Sequence, residues 1–186
     1  NDDNNPLNVM FSLETVFLEI VNDLIIVKNQ DGDVYWPEYN LNSIGSLNIG
    51  EGYHTKMLNS STLTITGSLI PSNYSLELTD GWSFLGYLHQ ESYNIEDMLA
   101  SILNTITIVK NEMGEVFWPL FDINAIETMD PGEGYQIKLT ESNTFSYPDS
   151  NDTGKYGNLY TEGPIYFDKA ANTGSNMIIG FPEYAW

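Results

Sequence analysis

The chain has 186 residues, no cysteine and no arginine, and 26 acidic side chains against 6 lysines give it a formal charge of -20. The lack of cysteine excludes disulfide staples, thiolate metal sites and thiol nucleophiles; the lack of arginine excludes a bidentate guanidinium clamp for phosphate. The summed negative field repels nucleic acid and anionic lipid, and no run of about 18 apolar residues offers a membrane-spanning helix.

In chain order, the first six residues, five polar ones and Pro6, do not read as a signal peptide and lack an initiator Met. The expectation is a mature or processed chain, or a piece of a longer one. A helix is predicted next, with Ser12 as cap, Glu14 in its first turn, and Leu13, Val16, Phe17, Ile20 and Val21 along one apolar face. A strand over 24–28 follows, rich in β-branched residues. The turn Asn29-Gln30-Asp31-Gly32 then leads to a return strand, Val34-Tyr35-Trp36, which Pro37 ends because proline cannot donate to a ladder. An irregular stretch holds Leu41, Ile44 and Leu47 at a spacing that suggests a short helical turn or a loop pinned at three points. Gly50-Glu51-Gly52 turns the chain into a strand over 53–57, and a last strand is expected at 63–66.

The same series then recurs 82 residues later. From 24–57 to 106–139 the alignment needs no gap, and 15 of 34 positions are identical, among them Lys28/Lys110, Trp36/Trp118, Pro37/Pro119 and the Gly-Glu-Gly-Tyr motif at 50–53 and 132–135. The second helix has Asn94 as cap, Glu96 and Asp97 in its first turn, and Ile95, Met98, Leu99, Ile102 and Leu103 on its apolar face. A period of this length marks tandem structural units. The fold class expected is therefore α+β. Two tandem modules of 82 residues each pack one helix on a small, mostly antiparallel sheet, and a β-rich C-terminal tail follows. The divisions are module one at 1–66, module two at 67–148, and linker and tail at 149–186.

One element breaks the repeat. Gly81-Trp82-Ser83-Phe84-Leu85-Gly86-Tyr87 reads as the opening strand of module two, while its counterpart in module one falls before and across the polar residues 1–5. Module one thus lacks its own first strand. The tail holds a similar stretch, Ser175-Asn176-Met177-Ile178-Ile179-Gly180-Phe181. Met177, Ile178, Ile179, Gly180 and Phe181 form a candidate assembly segment that supplies this strand to module one of the next copy, head to tail.

Each candidate for chemistry has a plainer alternative. Asn29, Asp31 and Asp33 resemble part of a calcium loop, but the second copy has Met113 in place of Asp31, so a hairpin turn is the better reading. Gly50-Glu51-Gly52 precedes a strand and carries a carboxylate where phosphate would sit. His54 and His89 are the only histidines, and module two has Gln136 in place of His54; no zinc set or Ser/His/Asp arrangement is suggested. The lysine pairs Lys28/Lys56 and Lys110/Lys138 are expected beside Glu51 and Glu133, their stems over aromatic rings. A covalent link from a lysine to Asn29 or Asn111 is the sharper alternative. Trp36 and Trp118 are assigned to the core, with Val34 on the same face as Trp36, while Tyr35 and Tyr39 stay open between core and sugar stacking. No catalytic residue, metal or cofactor is assigned.

At Gly81-Trp82-Ser83-Phe84-Leu85-Gly86-Tyr87, Ile108-Val109-Lys110-Asn111, Val116-Phe117-Trp118-Pro119 and Gly132-Glu133-Gly134-Tyr135, the chain resembles a repeat of large secreted and cell-surface proteins of marine Bacteroidetes, with similar modules in marine phage-like sequences. The likeness covers about 11–147. Residues 172–177 look like the opening of a β-sandwich domain that accompanies such repeats, here cut short. The resemblance implies an extracellular, non-catalytic, modular role. The partners expected are other copies of the chain, further modules of a longer one, or a polysaccharide or cell surface, with no nucleic acid and no membrane insertion. The alternative is a carbohydrate-binding module using Tyr35 and Tyr39.

Overall fold

A computed structural model describes residues 12–65, 70–71, 73–149, 165–166 and 176–180, the last two segments as backbone strands. Module one opens on Ser12, whose side chain accepts from the Thr15 amide and caps α1 (Leu13–Val16). The strands β1 (Leu24–Lys28), β2 (Val34–Trp36), β3 (Leu41–Asn42), β4 (Gly52–Met57) and β5 (Thr64–Ile65) follow. Module two begins with β6 (Leu76–Leu78), β7 (Gly81–Gly86) and β8 (Tyr93–Asn94). Asn94 then caps α2 (Ile95–Met98) by accepting from the Glu96 amide at 2.8 Å. After it come β9 (Ile106–Lys110), β10 (Val116–Trp118), β11 (Ile123–Asn124), β12 (Thr128–Met129), β13 (Gly134–Leu139) and β14 (Asn143–Phe145). Two tail strands close the series, β15 (Ile165–Tyr166) and β16 (Asn176–Gly180).

The α+β expectation is overturned: 41% of the described residues are strand against 17% helical, and the fold is mostly β. Among the described residues no helix longer than a single α turn packs on either sheet. Each predicted helix is one α turn of four residues, continued by a 3-10 segment at Leu18–Ile20 or Ala100–Thr105. The predicted face is nevertheless the buried one, with Leu13, Phe17 and Ile20 in one copy and Ile95, Met98, Leu99 and Ile102 in the other. An α turn joined to a 3-10 turn also puts residues three apart on one side, so the apolar period does not distinguish it from a longer helix. Thr15, Val16, Ile20 and Val21 are β-branched, which further weakens a continuous helix.

Two five-stranded sheets carry the fold, in the orders β16-β4-β1-β2-β3 and β7-β13-β9-β10-β11. Their antiparallel registers agree across the repeat: Val27 stands opposite Tyr35 and Thr55, and Val109 opposite Phe117 and Ile137. Each sheet has its own core. Leu13, Phe17, Val27, Tyr35, Tyr53 and Met57 fill the first, and Leu85, Ile95, Met98, Val109, Tyr135 and Ile137 belong to the second. Asn29 and Asn111 close the hairpins as expected: Asn29 Oδ1 accepts from the amides of Asp31 and Asp33, and Asn111 Oδ1 from those of Met113 and Glu115.

The face predicted for the return strands is reversed. Tyr35 and Phe117 are buried, while the flanking Val34, Trp36, Val116 and Trp118 are only half-buried. All three residues of each strand are apolar, so alternation in the sequence carries no sign. Of the three points expected to pin the next loop, Leu41 and Ile123 lie exposed on the edge strands β3 and β11.

Candidate assembly site

An interior strand of an antiparallel sheet must be paired along both edges, because its unpaired backbone groups otherwise face solvent or invite another chain. In module two the far edge of β13 is filled by β7, which arrives directly from the preceding chain. In module one the far edge of β4 is filled by β16, from the opposite end of the sequence. The registers coincide: Gly180 stands opposite Gly52 as Gly86 does opposite Gly134, Ile178 opposite His54 as Phe84 opposite Gln136, and Asn176 opposite Lys56 as Trp82 opposite Lys138. Ahead of it, β15 pairs with β5 through Ile165 and Ile65, much as β6 pairs with β14 ahead of β7. The tail thus gives module one the pair of strands that residues 76–86 give module two.

The strand-forming part of the predicted assembly segment, Met177, Ile178, Ile179 and Gly180, lies in β16. Phe181 lies outside the described residues. The strand that was expected on a neighbouring copy is seated here on the chain's own module one.

The completing strands also join the modules. The Gly86 amide donates to Gly50 O at 2.7 Å, Glu51 forms a β-bridge with Leu85, and the Phe84 amide donates to Gln30 Oε1 at 3.1 Å. These bonds cap the outer edge of β7 with backbone and side chain from module one. Gly50 has φ 68°, which favours glycine, and a Cβ there would lie 2.3 Å from Leu76 Cδ2, so a larger residue also displaces the Leu76 side chain. His54 lies against the Phe84 ring at 4.7 Å between centroids, and the Gln136 amide donates to its Nε2. Burial, with the Lys28 charge nearby, holds His54 below the usual imidazole range. His54 and Gln136 are equivalent positions of the repeat, and a position that meets its own counterpart marks a two-fold type of contact. On the same side of the junction β16 lies against β13.

The sugar-binding candidates separate. Tyr35 is 5% exposed and packs on Phe17, so its ring is part of the core. Tyr39 is 65% exposed and stands edge-on to Trp36 at 4.7 Å. Module two repeats this geometry with Trp118 and Phe121 at 4.6 Å. In both copies a 3-10 turn starting at the proline presents the pair, ended by Asn40 or Asp122 in the left-handed region at φ 51° and 54°. Two matching apolar knuckles result, and the second adds Leu120, 81% exposed, where the first has Glu38.

The remaining candidates fall to local structure. Asn29 and Asn111 each commit the side-chain carbonyl to two turn amides and donate through Nδ2 to Asp33 or Glu115, so both ends of the amide serve the hairpin turn. Glu51 and Glu133 accept from the hydroxyls of Tyr53 and Tyr135. The second lysine pair does cover an aromatic: Lys110 and Lys138 Nζ lie 5.2 and 5.9 Å from the Trp82 ring. Among the described residues no three His, Asp or Glu side chains gather in a metal-holding cluster.

Sequence reasoning did not find the junction residues Gln30, Gly50, Phe84 and Gln136. One signal was present: His54 aligns with Gln136, so both copies keep a polar residue between apolar or small neighbours at the same point of the strand. Comparisons with known protein families, with curated proteins and with solved structures gave no match.

Proposed function

We propose that the chain is a non-catalytic structural or adhesive repeat protein that works outside the cell as a subunit of a fibre or surface array. The observation that carries this reading is the completion of module one by a strand from the far end of the chain, in the register used within module two. A module that depends on a remote strand to close its sheet suits linking and not turnover. The acidic, arginine-free composition and the resemblance to repeats of secreted marine bacterial proteins support the extracellular setting. Sizing and particle imaging of the purified chain test it: filaments or an ordered series of oligomers are expected, and a monodisperse monomer up to high concentration contradicts it.

The exposed Tyr39 ring, edge-on to the half-buried Trp36, favours a second reading, a carbohydrate-binding module, because flat rings stack on apolar sugar faces. That reading requires saturable binding to a polysaccharide, lost on Tyr39→Ala with folding retained. Tyr35→Ala is no test of it, since that ring holds the core together.

A further inference from the structure

We propose that the far edge of β4, Gly52–Met57, is an acceptor site for the tail strands of a second copy of this chain, so that β15 and β16 exchange between molecules. The inference rests on the structural reading above and names the partner and the surface. Module two takes the strand on this edge, β7, from the sequence just ahead of it, whereas module one takes β16 from beyond residue 149. The strand it takes is reached only through residues 150–164, which separate Asp149 from Ile165. A connection of 15 residues spans at most about 50 Å, enough to reach the chain's own module one or a neighbour's. Every pairing of β15 with β5 and of β16 with β4 is the same whichever molecule supplies the tail. What differs is concentration. A strand tethered to its own acceptor meets it at an effective concentration on the order of millimolar. The closed monomer therefore dominates in dilute solution, and exchange takes over where copies are crowded or held side by side.

The lack of cysteine makes the test clean. Lys56 is exposed and stands opposite Asn176, a pair whose equivalent in module two is Lys138 and Trp82. The double variant Lys56→Cys/Asn176→Cys, oxidised when dilute, should close a disulfide within one chain and stay monomeric. The single variants Lys56→Cys and Asn176→Cys, refolded together at about 1 mM and then oxidised, should give a covalent heterodimer joined at those two positions. Its yield should exceed, by on the order of tenfold or more, that of a control mixture of Glu38→Cys with Asn176→Cys. A yield no higher than the control overturns the proposal, as does a double variant that does not close. The outcome separates from that of the functional reading. Filaments without the heterodimer leave the structural role standing and remove strand exchange. A heterodimer without larger assemblies keeps exchange and removes the fibre.

Discussion

Glu127 holds a left-handed backbone, φ 61°, where module one has Gly45 at φ 79°. In both copies an asparagine enforces the bend, with Asn42 Oδ1 accepting from the Gly45 amide and Asn124 Oδ1 from that of Glu127. A side chain pays about 1–2 kcal/mol for that conformation, partly offset by the extra freedom glycine has when unfolded. Glu127→Gly should therefore raise stability by up to about 1 kcal/mol, read as a higher urea midpoint; a lower midpoint would show that the carboxylate contributes more than the strain costs. Tyr53 makes a second case. Its hydroxyl accepts from the Asn48 amide at 2.8 Å and donates to Glu51, so Tyr53→Phe leaves a backbone donor unpaired and should cost about 1 kcal/mol. The histidines set the pH response. Burial holds both His54 and His89 below the ordinary value of 6.5, so the unfolded chain takes up a proton first as pH falls. Stability should be full above that value and decline beneath it. His54→Gln, the residue module two carries, should flatten part of the decline between about pH 7 and pH 5; an unchanged slope in both His54→Gln and His89→Gln would place the titration elsewhere. The hairpin asparagines were legible at this scale because an Asn-x-x-Gly turn encodes its own hydrogen bonds. His54 was not, since its partner lies 82 positions away.

The elements were legible where a pattern had length and a sign. The strands β1, β4, β9 and β13 lie within a residue of their expected positions, and both helix caps are where the sequence puts them. The helices themselves were overcounted, because an apolar period of a few turns fits an α turn followed by a 3-10 turn equally well. The face of β2 and β10 was misassigned because three apolar residues in a row contain no alternation to read. Gly50 shows what element packing adds to sequence. As part of Gly-Glu-Gly it reads as a turn glycine, but it also accepts from Gly86 and lies against Leu76, so it is one of the points where the two modules touch. Gly50→Ala should cost more than Gly32→Ala, which has a similar φ but open space around the missing Cβ. A thermal shift for Gly32→Ala as large as that for Gly50→Ala would mean that the contact with Leu76 relaxes without cost.

For the molecule as a whole, the duplication was visible in the sequence and the spare tail strand was visible beside it. Its destination was not. The short apolar-Gly-aromatic match at 178–181 marks a strand of the β7 type, yet nothing local says whether it returns to its own module one or leaves for another copy. That choice depends on the connection and on concentration, not on residue pattern. The structure seats it at home, and the two modules become a pair in which each sheet is completed by a strand entering on the same edge in the same register. Amide hydrogen exchange on the dilute chain ending at residue 173, compared with the full chain, tests this most directly. With the tail strand removed, amides of β4 along Tyr53–Met57 should lose protection by well over tenfold, while those of β13 along Tyr135–Leu139 keep theirs. Equal protection of β4 with and without residues 174–186 would contradict the account.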